Sequence, residues 1–190
     1  MTPPVFKYLA AFAPLVLLAA LLAVLAWFNF HKRERYEPRA MVGQSVPVVA
    51  LTDLQDGSQI DLKSLAAGYG HPILVNVFAS WCEPCRGENP ELMALKQKGV
   101  TIIGVAWKDE ARNTITYLSQ NDNPYARALS DTTNQAGLAL GISGVPETFV
   151  VTPDGKITDK VGGPIVPNTL GEVEQALAKH PRGVSNAAAW

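Results

Sequence analysis

"FASWCEPCRGENP" (78–90) holds the only two cysteines of the 190-residue chain, Cys82 and Cys85. Placed at random, two cysteines fall three apart in about one case in a hundred, so the spacing carries information. Upstream, "PILVNVFAS" (72–80) is a continuous apolar run, the pattern of a strand buried on both faces. Downstream, "ENPELMALKQKG" (88–99) reads as a helix stopped at Gly99. Cys82 therefore stands where a buried strand hands over to a helix. The free N–H groups and partial positive charge of a helix start stabilise a thiolate there. Cys85, one turn on, shares its face and lies within reach of a disulfide.

Three uses of such a pair are open: a structural staple, half of a metal site, or a working redox couple. The loop closed is tiny, so a staple here adds little to stability and can open without unfolding the domain. A structural zinc takes four ligands, and only His31, His71 and His180 could join the cysteines. His31 flanks an apolar segment, His180 is near the C-terminus, and His71 reads as an exposed loop residue at the far end of the strand. No bound metal is expected. Two cysteines in a chain this long are no disulfide scaffold. The formal net charge of -1 leaves no electrostatic footprint for nucleic acid.

From 46 to 180 the chain alternates in period. "VPVVALTDLQDGSQIDL" (46–62) predicts two short strands about the Asp56-Gly57 turn, and "SLAAGYG" (64–70) a brief helix. "VTIIGVAW" (100–107) predicts a second buried strand, "DEARNTITYLSQ" (109–120) a helix, "ARALSD" (126–131) a strand and "TTNQAGLALGI" (132–142) a short helix. "ETFVVTPDGKITDKVGG" (147–163) predicts a hairpin about Pro153-Asp154-Gly155, and "NTLGEVEQALAKH" (168–180) a last helix capped by Asn168 or Thr169. Pro90 removes a hydrogen bond to the Arg86 carbonyl, which predicts a kink after the cysteines. This order argues an α/β fold with a central sheet covered on both faces.

At the other end, "YLAAFAPLVLLAALLAVLAWFNF" (8–30) carries no charge. About 20 helical residues cross a bilayer core. Trp27 and Phe28 suit an interface, "HKRER" (31–35) stops the segment, and Pro14 is tolerable within it. A cleaved signal peptide has a shorter apolar core, and a small-residue cleavage site does not stand out here. The expected organisation is an uncleaved membrane anchor with a short cytoplasmic tail over 1–35, a linker over 36–45, the α/β domain over 46–180 and a loose tail over 181–190.

"WCEPC" after a buried strand and "GISGVPETF" (141–149) before a hairpin together resemble thioredoxin-fold proteins. With "WCEPCRGENP", "WKD" (107–109) and "NPY" (123–125), residues 40–180 most resemble the membrane-anchored CcmG/DsbE family of cytochrome c maturation. The resemblance implies a thioredoxin-like fold with an N-terminal β-hairpin extension, preceded by one transmembrane helix. It also implies that Pro146 is a cis-proline facing the cysteines and that the Val145 backbone holds an extended substrate. In that reading Cys82, the more exposed sulfur, attacks a client disulfide and Cys85 resolves the mixed disulfide. Trp81 shields the couple or packs in the core, and Glu83 and Pro84 help set its poise.

The direction of electron flow is contested in the sequence itself. Glu83, Glu88 and Glu147 would disfavour a Cys82 thiolate and so destabilise the reduced form. The helix start and Arg86 push the other way. Glu83 and Glu88 equally fit a solvated surface, and Thr148 fits an ordinary strand residue. The resemblance favours a reductant for Cys-x-x-Cys-His sites of apocytochrome c or for a partner thiol protein. A membrane electron-transfer protein would recharge it. No phosphate-cradling glycine fingerprint is present, so the redox group is the Cys82–Cys85 disulfide and no other cofactor is expected. Lys32, Arg33 and Arg35 outnumber Lys7, so charge counting puts the domain in the cytoplasm. The resemblance puts it in the periplasm, on a single-pass inner-membrane anchor. The alternatives are an anchored thioredoxin-like reductase with another envelope client and a tethered metal-binding or interaction module.

Overall fold

The computed structural model describes residues 4–31 and 41–180, with side chains of the first helix described for 14–27. The chain divides into two compact units, Met1–Glu37 and Pro38–Trp190. The first contains α1 (Pro4–His31), 28 residues long with Pro14 inside it. Every large apolar side chain from Leu15 to Trp27 is more than half exposed. Among the described residues no helix is long and apolar enough to cross a membrane; in α1 these side chains span only residues 14–27. The charged flank 32–35, most of the expected linker and the tail 181–190 lie outside the described residues.

The second unit is built on seven strands: β1 (Leu51–Asp53), β2 (Gln59–Ile60), β3 (Ile73–Phe78), β4 (Ile102–Trp107), β5 (Arg127–Asp131), β6 (Glu147–Val151) and β7 (Ile157–Gly162). Their order across the sheet is β2-β1-β5-β4-β3-β6-β7. The central β5-β4-β3 trio is parallel, and β1 and β6 add antiparallel on either side of it. The helices are α2 (Leu62–Tyr69), α3 (Glu83–Gly87), α4 (Asn89–Gln97), α5 (Ala111–Gln120), α6 (Gln135–Ala139) and α7 (Pro167–Ala178). Element types and order follow the sequence reading, except that the one helix expected after the cysteines is two, α3 and α4.

The apolar run of β3 splits by parity. Val75 and Val77 pack with Leu62, Leu65, Ala136 and Phe149 on one face of the sheet. Leu74 and Phe78 pack with Leu92, Leu95, Tyr117, Val173 and both cysteines on the other. Asn76 has the parity of Leu74 and Phe78, so a polar side chain enters the cysteine-bearing core. In the sheet it sits between Gly104 on β4 and Thr148 on β6.

Three local expectations change. The helix after the cysteines is broken rather than kinked: α3 ends at Gly87, Glu88 intervenes, and α4 starts with Pro90 in its first turn. Proline is tolerated there because no intrahelical N–H is needed. The last helix begins earlier than expected, with Val166 as N-cap and Pro167 leading. Thr169 is inside it, and its Oγ1 accepts the Val166 N–H at 2.9 Å. Residues 43–46, mostly assigned to the linker, instead pair with residues 155–157 where the hairpin turn enters β7, with Gly43 N–H on the Ile157 carbonyl at 2.8 Å and Ile157 N–H on the Gln44 carbonyl at 2.9 Å.

Candidate active site

Cys82 is the N-cap of α3, with extended backbone angles, and its Sγ accepts the Cys85 N–H at 3.2 Å. The two cysteines form a disulfide with Cα atoms 5.3 Å apart. Each is only 3% exposed, so Cys82 is not the more exposed of the pair. Both are drawn into the apolar cluster of this face, against which Val145 packs. The N–H directed at Cys82 Sγ would also serve a thiolate there, as a helix start does.

The loop before Cys82 is pinned from two sides. The buried Asp109 carboxylate accepts from Ser80 N–H at 2.6 Å, Ser80 Oγ at 3.0 Å and Thr114 Oγ1 at 2.9 Å. Arg86 Nη2 donates to the Ser80 carbonyl at 3.1 Å. Trp81 is 58% exposed, which excludes the core reading. Its indole N–H lies 3.4 Å from the Lys108 carbonyl, and its ring centroid is 6.4 Å from that of Trp107. Lys108 has φ +49°, turning the chain after β4 so that its carbonyl and Asp109 both serve this loop.

The Val145–Pro146 peptide is cis, as the resemblance implied. Pro146 is buried and Val145 half-buried. Glu147 follows at the start of β6 and is itself buried. Its carboxylate pairs with Lys160 Nζ at 2.8 Å and accepts from Ser143 Oγ at 2.8 Å. Glu147 thus ties the turn before the cis-proline to β7, and the lysine offsets its charge. Glu83 is the opposite case, a nearly fully exposed side chain 3.9 Å from Arg86. A pair in that setting contributes little. Pro84 lies in the first turn of α3, and its carbonyl accepts the Glu88 N–H at 3.2 Å.

For Glu88 the structure rules out the surface alternative. It is fully buried, one turn beyond Cys85. One carboxyl oxygen accepts from Asn76 Nδ2 at 2.9 Å and the other from the Ile165 N–H at 2.9 Å. Burial pushes its pKa up to about 7, against the pull of those two donors, and Glu91 adds to the rise. Of the three expected carboxylates, then, Glu83 is solvated, Glu147 is paired with a lysine, and Glu88 is buried beside the couple.

The sequence reading missed the residues that organise these groups. Asp109 stood in a quoted motif without a role, and Lys160 lay in an ordinary-looking hairpin strand. Asn76 had a visible signal, a lone amide inside an apolar strand. Thr148 is more than a strand residue, since its Oγ1 accepts from Asn76 at 3.0 Å. His71 is half-buried rather than exposed, with Nδ1 3.0 Å from the Pro72 carbonyl. Among the described residues no group of three or more His, Cys, Asp or Glu side chains is placed to hold a metal.

The model of the Redoxin family matches residues 41–177. The thiol:disulfide interchange protein HelX of Rhodobacter capsulatus is 36% identical over 160 residues, covering 84% of this chain and 89% of HelX. DsbE of Escherichia coli K12 is 33% identical over 163 residues, covering 84% of this chain and 88% of DsbE. A solved structure of a secreted Mycobacterium tuberculosis disulfide oxidoreductase, described as homologous to E. coli DsbE, superposes with a TM-score of 0.56 at 21% identity. It covers 69% of this chain and 95% of that one, a likeness of fold. A strand-to-helix disulfide beside a cis-proline and sustained identity along the domain lead to one conclusion: this chain belongs to the Redoxin family and is a thiol:disulfide oxidoreductase of the DsbE/CcmG type.

Proposed function

We propose that this protein is a membrane-anchored, periplasm-facing reductant that opens disulfides during cytochrome c maturation. The observation that carries the direction is Glu88, a buried carboxyl one turn from Cys85 with no lysine or arginine among its hydrogen-bond partners. A negative charge there disfavours a thiolate and lowers the potential of the couple, whereas the disulfide is neutral and indifferent to it. Cys82 attacks a client disulfide and displaces one client thiol. Cys85 then attacks Cys82 Sγ and releases the second. The client disulfide gains two electrons and two protons, and the Cys82–Cys85 bond closes. Trp81 and the Val145–Pro146 edge hold the client segment. The client is the Cys-x-x-Cys-His site of apocytochrome c or a partner thiol protein, and a membrane electron-transfer protein restores the dithiol.

Equilibration of the full chain in detergent against dithiothreitol is expected to give a reversible couple well below about -200 mV. A value near about -120 mV would make it an oxidant and overturn the direction. The anchor is the uncharged stretch 8–30 within α1. Its support is the sequence: about 20 uncharged apolar residues suffice for a bilayer core at about 1.5 Å per residue. Protease added to intact spheroplasts is expected to remove the redox domain. Protection until lysis would place it in the cytoplasm, where charge counting puts it.

A further inference from the structure

Glu88 lies at one end of a buried chain of polar groups whose other end is Tyr125. The Tyr125 hydroxyl donates to Asn76 Oδ1 at 2.7 Å. Asn76 Nδ2 donates to both Glu88 Oε1 and Thr148 Oγ1. An amide can turn over, exchanging its oxygen and nitrogen, unless its partners forbid it. The phenol oxygen could also accept from a turned amide, but its own buried proton would then lose the Asn76 oxygen that accepts it; the amide oxygen therefore faces Tyr125, and that arrangement sends the N–H groups to the carboxyl. Gly104 makes the contact possible. A Cβ there would come within 2.8 Å of the Tyr125 and Phe78 rings, which stack with centroids 4.7 Å apart.

We infer that Tyr125 is a positioning residue: by fixing the Asn76 amide it presents a donor to Glu88 and so sets the pH at which this carboxyl loses its proton. A donor favours the ionised carboxylate, whereas an amide oxygen turned towards it favours the protonated acid. Among the described residues no other titratable group hydrogen-bonds to Glu88. Glu91 on α4 is of like charge, and the Tyr117 hydroxyl on α5 and the Tyr125 hydroxyl are pushed up by burial. Arg86 and Glu83 on α3 are exposed and lie together, and on β6 Glu147 is paired with Lys160 of β7. The Ile165 N–H ahead of α7 is a fixed backbone donor. Asn76 is the side-chain partner of Glu88 whose orientation a substitution can change.

The inference rests on the proposed function only in giving Glu88 a role in the poise of the couple. Its test is therefore read on the oxidised full chain, with no exchange required. Infrared titration follows the protonated-carboxyl band that disappears in Glu88→Gln. In Tyr125→Phe the midpoint of that band is expected to rise by about one pH unit, the size of one lost hydrogen bond. Thr148→Val removes an acceptor from Asn76 but leaves Tyr125 to fix the amide, so its midpoint stays where it was or falls. An unchanged midpoint in Tyr125→Phe overturns the inference. So does an equal rise in both variants, which would mean general loosening of the core. Should the potential show no reversible couple, the functional proposal fails while the infrared shift still decides this one.

Discussion

Cys82→Ser is expected to reduce thiol–disulfide exchange to the uncatalysed background, while Cys85→Ser converts the protein into a trap. In the first variant no sulfur remains at the N-cap of α3, where the helix start and the Cys85 N–H favour a thiolate. In the second the attacking sulfur survives but nothing resolves the mixed disulfide, so a Cys82-linked client accumulates. Neither change should unfold the domain. The bond closes a loop of three-residue separation at the start of α3, in a domain built on a seven-stranded sheet, and its contribution to stability is at most about 2 kcal/mol. Non-reducing electrophoresis and mass spectrometry of cells carrying Cys85→Ser read the outcome and name the client. An interaction module with an incidental disulfide predicts unchanged activity in both variants. Failure to capture any client would sink the exchange mechanism.

The second large effect is on stability as a function of pH. Glu88 has a pKa of about 7 in the folded chain, raised by burial from an ordinary 4.5. Between those values the folded protein holds a proton that the unfolded chain has already released. Raising the pH through that window therefore favours unfolding, and the loss levels off above about 7. A difference of this size corresponds to about 3 kcal/mol. Denaturant unfolding of the oxidised protein at pH 5 and pH 8 is expected to show a decline of that order. Glu88→Gln has no proton to lose and should flatten the curve over this window. A wild-type protein equally stable at both values would show that Glu88 titrates normally, and that it does not carry the poise assigned to it.

The potential of the couple bears on the same group. An ionised Glu88 opposes a Cys82 thiolate, so the site is a stronger reductant where the carboxyl has lost its proton. The helix start and the Cys85 N–H work against it. Glu147 drops out of this balance because Lys160 compensates it, and Glu83 because solvent screens it. One carboxyl out of three is thus left to oppose the thiolate.

Much was legible in the order of residues. Periodicity alone separated strands from helices, because buried parallel strands are apolar on both faces and amphipathic helices are not. The cysteine spacing and its place between strand and helix located the site. Proline chemistry pointed to a disturbance at Pro90, expected as a kink and found as a break between Gly87 and Asn89, since a missing N–H is a local matter. Burial of the charged side chains was not legible. Glu83 and Glu88 stand five positions apart and look alike as letters, yet one is solvated and the other fully enclosed. What encloses Glu88 comes from distant stretches: Asn76 on β3, Tyr125 ahead of β5 and Ile165 ahead of α7. The same holds for Lys160, which reaches Glu147 only because β7 folds back along β6. Local pattern determined the elements and the place of the cysteine pair between strand and helix. Electrostatic surroundings depend on which side chains the sheet brings together, so only the tertiary structure decided which carboxyl keeps its proton.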